Sequence, residues 1–325
     1  MRYFATRLLQ LIGVLFVVTF LMFLMVRRLP GDPVLSVTGC PNTATQTEAC
    51  QQKIATARAD LRLDKPVPEA YVAWVNDLAH GDLGFSYISN TPVRERMATA
   101  LPRTLLLMLY SMVLSLVIAI PLGVITAHRQ GTRLDRLLSM GAFGTIATPN
   151  FVLATLLVFF FASRAHWFPA TGVVDIGDGD LFAHLKSYVL PTLSLGLPQA
   201  AVFMRVLRTD MVNTLSEDFI GMAKAKGMPV RKILLRHALR PSSFTLLTVT
   251  GINVGQLIGG SVIIEVVFAI NGMGSQIASA VLRSDYILVQ SGVALIACAF
   301  VTINFLVDAL YGVLDPRVRH ARSAH

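Results

Sequence analysis

The stretch GMAKAKGMPVRKILLRHALRP, from Gly221 to Pro241, carries six Lys or Arg residues and no acidic residue. It lies between two apolar segments of a chain that is 54% hydrophobic and has a mean hydropathy of +0.61. Only 14% of the residues are charged, whereas about 25% is typical of soluble domains. The composition therefore indicates that lipid is the main solvent of the fold, and that the basic stretch connects two membrane-spanning segments.

Six apolar stretches are long enough, or nearly so, for the roughly 20 residues that a transmembrane helix needs. They are Leu8–Val26, Leu105–Ile125, Leu137–Phe161, Tyr188–Met204, Phe244–Phe268 and Ile287–Val307. The fourth is the weakest because Pro191, Gly196 and Pro198 interrupt it, although neighbouring helices can satisfy the backbone groups that such residues free. The first resembles a signal peptide, but its apolar run is too long and no small-residue cleavage site follows. We therefore predict an all-α membrane protein with six transmembrane helices.

The basic residues indicate how the six spans are oriented. If the N-terminus is cytoplasmic, the inner segments hold most of the Lys and Arg residues, and the two short outer loops hold only Arg164, Lys186 and Arg283. We therefore predict that both termini lie in the cytoplasm. The net charge of +9 then belongs to the cytoplasmic face, where it attracts anionic lipid, and it does not indicate nucleic-acid binding.

The spans divide the chain into predicted parts. Residues 1–26 form the cytoplasmic N-terminus and first span, 27–104 a long helical extracytoplasmic segment, 105–315 a five-helix core, and 316–325 a cytoplasmic tail. The outer segment contains Cys40 and Cys50, and thiols outside the cytoplasm can oxidise. We predict a disulfide between them; two free thiols are the alternative, because closeness in sequence does not guarantee the required geometry.

The basic stretch belongs to a loop, residues 214–241, with the pattern of two short helices. Ser216 is a good N-cap for the first helix, and Gly227 can take the left-handed conformation that ends it. Pro229 suits the first position of the second helix, and Pro241 ends or kinks that helix before the next span. A lipid-facing amphipathic hairpin and a docking site for a cytoplasmic partner both fit this pattern.

Polar residues inside the fifth span are candidates for a transport path. Asn253, Gln256 and Glu265 fall roughly on one side of a helix, and polar groups in lipid usually face the bundle interior or a water-filled path. The alternative is that Asn253 and Gln256 bond between helices and that Glu265 lies at the outer interface. Glycines repeat every four residues from Gly251 to Gly259, which predicts close helix packing.

Two further polar features have structural interpretations. Asn150 follows Pro149 in the third span, and we assign this pair to a kink and to packing. Asp308 lies near the inner end of the last span and is predicted to pair with Arg205 or Arg208, because an unpaired buried charge is costly.

Known enzyme motifs are missing from the sequence. It contains no H-E-x-x-H zinc motif, no G-x-S-x-G elbow and no G-x-x-x-x-G-K-[ST] phosphate loop. Midplane charges and internal repeats, which are common in ion-coupled carriers, are not evident either. We predict that the chain is not itself an enzyme and holds no metal.

The loop resembles the cytoplasmic EAA loop of ABC importer permeases, whose short helix fits a groove on the ATPase subunit. Ala223 and Gly227 match the last Ala and the Gly of that motif, whereas Gly221 and Met222 replace its Glu and first Ala. The form A-K-A-K-G…R-H-A-L-R-P is similar to the dipeptide and oligopeptide branch. Other stretches resemble that branch in order along nearly the whole chain: RRLPGDP, LDKPVPEAYVAWVNDLAHGDLGFS, TPVRERMATALPRTLLL, IPLGV, GMGSQIASAVLRSDYILVQ and DALYGVLDPR.

The resemblance implies a multi-pass permease subunit of the bacterial inner membrane, in a binding-protein-dependent importer of dipeptides or oligopeptides that works by alternating access. The implied partners are a second homologous permease, two cytoplasmic ATPase subunits that carry ATP and Mg, an extracytoplasmic substrate-binding protein and lipid. No cofactor is implied on this chain. Glutathione or a nickel chelate is the alternative cargo, and an ion-coupled carrier is the less favoured alternative mechanism. The implied ATPase-coupling residues are Gly221, Ala223, Lys224, Gly227, Pro229, Arg236 and His237.

Overall fold

The computed structural model describes residues 2–28, 34, 48–60, 62, 64–86, 88–177 and 179–314, and helices dominate this part of the chain. The helices are α1 (Arg2–Arg28), α2 (Glu48–Asp60), α3 (Val67–Ala79), α4 (Val93–His128), α5 (Arg133–Ala147), α6 (Asn150–Leu157), α7 (Leu181–Leu215), α8 (Asp218–Ala225), α9 (Val230–Lys232), α10 (Leu239–Val267), α11 (Met273–Leu282) and α12 (Tyr286–Leu314). Two π-helical segments, Val158–Arg164 and Ile233–Ala238, continue α6 and α9.

One short strand pair departs from the predicted all-α fold. Strand β1 (Phe85–Ser86) pairs antiparallel with β2 (Thr91–Pro92). The turn between them includes Asn90 at a φ of 54°, a conformation that Asn adopts more readily than most residues. The pair lies directly before α4, at the end of the predicted extracytoplasmic segment, and it is too short to form a sheet with its own core.

The structure supports four or five membrane spans within its described residues. Four continuous helices are long and apolar enough: α4, residues 230–267, α7, and the first 22 residues of α12. The bent pair of α5 and α6 is a fifth candidate if it counts as one span. Shorter apolar stretches occur in α1, at Leu9–Met25, and in α11. The prediction of six spans with both termini inside is therefore matched in part, and the orientation stays a prediction.

The third predicted span, Leu137–Phe161, is not a single straight helix. α5 ends at Ala147, Thr148 is extended, and α6 begins at Asn150 after Pro149, so the two helices are bent by 105°. Proline fixes its own φ and disfavours the helical conformation of the residue before it. The predicted kink at Pro149 is confirmed, and it is large enough to break the helix.

The fourth span, the weakest in the sequence, becomes the 35-residue helix α7 with Pro191 and Pro198 inside it. It is the most buried of the four candidate spans. Ser115 of α4 donates a hydrogen bond from its hydroxyl to the Gly196 carbonyl oxygen at 2.9 Å. Close packing with neighbouring helices therefore supports a helix that its own sequence interrupts.

The chain forms two compact units, and its three boundaries fall within α4, between α10 and α11, and within α12. Unit 1 comprises residues 1–104 and 271–305; unit 2 comprises 105–270 and 306–325. The predicted boundary at 104/105 recurs here, whereas 271–305 groups with the N-terminal part rather than with the predicted 105–315 core. That predicted division of the chain stays a prediction.

Unit 1 has two apolar clusters. The larger cluster joins α4, α11 and α12 through residues such as Met97, Met273 and Leu288. The smaller cluster joins α1 and α3, where Tyr71 packs edge-on against three phenylalanine rings of α1. The Tyr71 and Thr19 hydroxyls lie 2.8 Å apart, so this aromatic cluster has a hydrogen bond at its centre.

Unit 2 is built around α7. Phe203, Met204, Leu207 and Met211 of this helix are buried against side chains of α4, α5 and the segment that follows α9. Leu207 also packs closely against Gly123 of α4, where an added Cβ atom would come within 2.9 Å of Leu207 Cδ2. α7 is therefore the central helix onto which the loop 214–241 is attached.

Candidate functional site

The loop 214–241 forms a helical hairpin, called here the coupling hairpin, with α8 as its first arm. The Gly227 N–H donates to the Lys224 carbonyl at 3.0 Å, and the Met228 N–H donates to the Ala223 carbonyl at 3.2 Å. Gly227 has a φ of +70°. This pair of bonds is a Schellman motif, so Gly227 ends the helix as its sequence position predicts.

The start of α8 differs from the prediction. The N-cap is Glu217, not Ser216, and its side chain makes no capping hydrogen bond. Ser216 instead caps the end of α7, and its hydroxyl donates to the Asn213 carbonyl at 2.6 Å. The prediction was wrong because only two residues, Ser216 and Glu217, separate α7 from α8, and the first of them is used to end α7.

A small apolar core holds the two arms of the coupling hairpin together. Ile220, Ala223 and Ile233 are buried, and Leu215 and Met228 pack against them. Helices this short are only marginally stable by themselves in water, so this core stabilises the hairpin. Phe219, the residue before Ile220, is 42% exposed and lies outside this core.

The second arm continues into the membrane. The helix runs unbroken from Val230 to Val267, and the Leu239 N–H donates to the Leu234 carbonyl, a spacing of five residues. Pro241 therefore does not end the helix, which was one of the two predicted outcomes; a kink at Pro241 stays a prediction. A wider π-type turn just before Pro241 changes the register of the hydrogen bonds and so accommodates a residue without an N–H.

The predicted coupling residues divide between an exposed and a buried set. Gly221, Lys224 and Arg236 are exposed, whereas Ala223 is buried in the hairpin core. His237 is half-buried, and its Nε2 atom is buried with no hydrogen-bond partner among the described residues. Gly227 and Pro229 are both exposed at the tip, and Pro229 is the N-cap of α9 rather than its first helical residue.

The three predicted path residues of α10 do not share one environment. The Asn253 side chain is buried and donates from Nδ2 to the Val249 carbonyl at 2.7 Å. Glu265 is fully buried near the other end of the helix, and Gln256 is exposed. Of the three, Gln256 is the residue that faces a cavity in unit 2.

That cavity, of about 130 Å³, contains two polar residues that sequence reasoning did not assign to a path. Asn150, which we had assigned to packing, lines it at the break between α5 and α6. Gln199 lines it from the middle of α7. The signal that identifies Gln199 is its position: it is an uncharged polar residue near the centre of an apolar helix.

A glycine contact lies beside the same cavity, one residue from the predicted stripe. A side chain at Gly259 would meet open space. At Gly260 a Cβ atom would come within 2.8 Å of Leu195 Cδ1 and 3.3 Å of Asn150 Nδ2. Close packing of α10 therefore occurs at Gly260, because this residue and not Gly259 faces α7.

Sequence reasoning also missed an ion pair. Arg208 of α7 donates from Nε and Nη2 to both carboxylate oxygens of Asp135, each at 2.8 Å. The predicted partner of Arg208, Asp308, has a side chain outside the described residues. Arg205 was the other predicted partner of Asp308, and its guanidinium carbon lies 4.2 Å from the centre of the Phe143 ring. Asp135 was overlooked because it is far from Arg208 in sequence.

The predictions about the cysteines and about metal concern residues in different parts of the chain. Cys40 lies outside the described residues, and Cys50 lies in α2, so the predicted disulfide stays a prediction. Among the described residues, no group of His, Cys, Asp and Glu side chains has the arrangement of a metal site.

Comparison with known proteins gives matches over nearly the whole chain, including the coupling hairpin. The family described as binding-protein-dependent transport system inner membrane component matches residues 119–320, and the corresponding N-terminal family matches residues 1–108. The probable peptide ABC transporter permease protein y4tP of Sinorhizobium fredii is 35% identical over 320 residues, which are 98% of this chain and 99% of that protein. The glutathione transport system permease protein GsiC of Escherichia coli has the same identity and coverage.

The fold has a counterpart among solved structures. A chain of the MetNI methionine ABC transporter, in inward facing conformations, gives a TM-score of 0.53 at 18% identity, covering 68% of this chain and 96% of that chain. At this identity the likeness concerns the fold alone. Together with the family matches it confirms the resemblance seen in the sequence, and the chain belongs to the family of inner membrane components of binding-protein-dependent transport systems.

Proposed function

We propose that this chain is the permease subunit of an ATP-driven ABC importer for dipeptides or oligopeptides. The observation that carries the proposal is the coupling hairpin: a helix–turn–helix with its own core, fixed to α7 on one side and continuous with α10 on the other. A partner that moves the hairpin therefore moves two long helices of unit 2.

The exposed side of the hairpin has the composition of a docking surface. Met222 is 61% exposed, Val230 54% and Leu235 48%, and the cations Lys224 and Arg236 of the same hairpin are exposed as well. Exposed apolar and basic side chains on one hairpin suit a partner groove that is apolar with an acidic rim. A lipid surface was the alternative, and the rigid Schellman turn favours a partner that transmits a two-state motion.

The cargo is inferred from relatives. One relative at 35% identity is named as a peptide permease and another as a glutathione permease, and glutathione is itself a tripeptide. We therefore propose a peptide cargo, with glutathione as the specific alternative. The observations offer no support for a nickel chelate or for an ion-coupled mechanism.

The remaining architecture follows from this proposal. The chain spans the bacterial inner membrane six times with both termini inside, and residues 27–104 face the substrate-binding protein. A second homologous permease completes the path, and two ATPase subunits bind ATP and Mg. The coupling residues are those of the hairpin: Gly221, Ala223, Lys224, Gly227, Pro229, Arg236 and His237.

Site-specific cross-linking tests the docking surface. In a background in which the native cysteines are replaced by serine, Lys224→Cys places a thiol on the exposed side of α8. We expect a short cross-linker, with a maleimide at one end and an amine-reactive ester at the other, to join this thiol to a lysine of an ATPase subunit in native membranes. The matched control is Leu282→Cys at the end of α11, which is 87% exposed and is predicted to lie outside the membrane.

The outcomes separate the two interpretations of the hairpin. An ATPase adduct at residue 224 and none at 282 supports docking. Adducts of residue 224 with other integral membrane proteins only would contradict the docking. Labelling of residue 224 by a membrane-impermeant maleimide added outside intact cells would contradict both the docking and the orientation.

A further inference from the structure

The cavity in unit 2 is lined by three carboxamide side chains, Asn150, Gln199 and Gln256, called here the carboxamide cluster. They come from α6, α7 and α10, which are far apart in sequence. Gln199 lies midway along α7, and Asn150 lies at the 105° break between α5 and α6. The cluster is therefore built by the tertiary fold and is distant from the ends of α7.

The cluster has an unused hydrogen-bond donor. The Gln199 side chain is 7% exposed, and its Nε2 atom is buried with no partner among the described residues. Leaving a buried donor unpaired costs free energy, so such groups in native proteins usually have a partner or a function. Within a membrane unit they commonly face a path for polar ligands.

A second unpaired group lies on the same side of α7. Thr192 is two helical turns before Gln199, is 8% exposed, and its hydroxyl is buried without a partner in the described structure. Leu195, between them on this face, lines the cavity and contacts the position of Gly260. The face of α7 that meets α10 thus offers polar groups at intervals, with no side chain at Gly260 to fill the space.

The chemistry of the lining selects the ligand. No charged side chain lines the cavity, so an ion would lack a counter-charge there. An apolar ligand would offer no hydrogen-bond partner to the three carboxamides. Each carboxamide offers N–H donors and a carbonyl acceptor, which pair with the carbonyl and N–H of a peptide group. Main-chain peptide groups are also the part of a peptide that does not depend on its sequence.

We propose that the carboxamide cluster of Asn150, Gln199 and Gln256 binds main-chain peptide groups of the cargo during its passage through the permease. This inference rests on the proposed function as a peptide importer and names the side chains that contact the cargo. Water has the same hydrogen-bonding chemistry and fits the cavity, so the experiment must separate water from peptide groups.

The test uses the complete transporter in proteoliposomes, with its partner permease, ATPases and binding protein. The double variant Gln199→Met/Gln256→Met keeps the side-chain size and removes the amides. The control is Gln10→Met, at an exposed glutamine of α1. The probes are trialanine and the same peptide N-methylated at the amide nitrogen of its central residue. Because every transporter carries the same binding protein, its own preference cancels when uptake ratios are compared between variants.

We expect the wild type and Gln10→Met to import trialanine faster than the N-methylated probe. In the double variant, trialanine uptake should fall about tenfold, which is the loss of one or two hydrogen bonds, and the preference between the probes should shrink. The melting temperature should stay the same or rise, since an unpaired buried donor is removed. ATP hydrolysis stimulated by the loaded binding protein should persist, because the coupling hairpin is unchanged.

Two results would overturn the inference while wild-type import of trialanine is intact. One is an unchanged uptake ratio in the double variant, which would mean that the amides hold only water. The other is a melting temperature lowered by several degrees, which would assign the amides a structural role. Failure of the wild type to import any peptide would instead refute the proposed function, and the inference with it. The wild-type measurement by itself detects that outcome.

Discussion

At the scale of single residues, one backbone angle determines the shape of the coupling hairpin. Gly227 has a φ of +70°, and a Cβ atom placed there would have no heavy atom within 4 Å. Any penalty for a larger residue is therefore conformational and not a clash. The nearby Gly221 also faces open space, but it lies inside α8, where a residue with a Cβ atom needs no unusual backbone conformation.

Gly227→Val should therefore loosen the hairpin, whereas Gly221→Ala should not. The left-handed conformation costs a residue with a Cβ about 1–2 kcal/mol. Alanine inside a helix is favoured over glycine by about 1 kcal/mol. We expect faster amide hydrogen exchange across residues 218–233 in Gly227→Val, and equal or slower exchange in Gly221→Ala. Equal exchange in both variants would show that the turn does not hold the hairpin.

A second residue-scale prediction concerns the ion pair between Asp135 and Arg208. The Asp135 carboxylate also accepts the Gly131 N–H at 2.9 Å and the Ser139 hydroxyl at 3.3 Å, so it fastens the start of α5 to α7. Asp135→Asn should lower the free energy of unfolding by about 2 kcal/mol, because hydrogen bonds to charged groups are lost. Thermal unfolding in detergent measures this. Asp210→Asn, two residues after Arg208 in α7, is the control and should unfold like the wild type.

At the scale of helices, α4 and α7 of unit 2 pack closely at Gly196. A Cβ atom there would come within 3.0 Å of the Ser111 carbonyl oxygen and 3.3 Å of Leu114 Cδ2. The first neighbour is backbone and cannot rotate away. Helices in membranes pack closely through such small residues.

Gly196→Ala should therefore separate α4 and α7 and destabilise the protein by about 1–3 kcal/mol, the usual range for overpacking. Gly141→Ala in α5 meets open space and should be neutral or slightly stabilising. Melting temperatures of the two variants, compared with that of the wild type, provide the measurement. A melting temperature for Gly196→Ala at or above that of Gly141→Ala would contradict the packing described here.

The predicted disulfide also belongs to this scale. If Cys40 and Cys50 are bonded, mass spectrometry after alkylation should find both protected until a reductant is added, and only Cys298 modified after unfolding. Replacing both with serine should remove the reductant-sensitive shift on a gel. Full alkylation of the unreduced wild type would disprove the bond.

The sequence predicted helices well where local signals decide them, and less well where tertiary contacts do. Gly227 ended its helix as predicted, because glycine at that position has a local conformational cause. Pro149 broke its span for the same kind of reason. Pro241 did not end its helix, and Pro191 and Pro198 lie inside α7, because neighbouring helices and a π-type turn compensate for the missing N–H groups.

The candidate sites show the same division. Gln256 was identified from its own helix, whereas Asn150 and Gln199 join it only through the fold. The pairing of Asp135 with Arg208 likewise depends on how α5 and α7 pack. Spacing along one helix shows which residues share a face, but it does not show what that face meets.

At the scale of the whole molecule, the central claim is that this chain is one subunit of a larger importer. Family membership concerns transport components that depend on a separate binding protein. The coupling hairpin offers an exposed surface with apolar and basic side chains, and its two arms are continuous with, or packed on, long helices. Under the proposed function, the coupling hairpin is the part of the chain that an ATPase subunit moves.

The most direct test is purification of the tagged chain from its native membrane in mild detergent, followed by quantitative mass spectrometry. The account predicts stoichiometric recovery of a second permease and of ATPases with a phosphate-binding loop, and reduced ATPase recovery with Gly227→Val. Recovery of the chain alone, both with and without prior cross-linking, would contradict the account and would leave the coupling hairpin without a motor to couple.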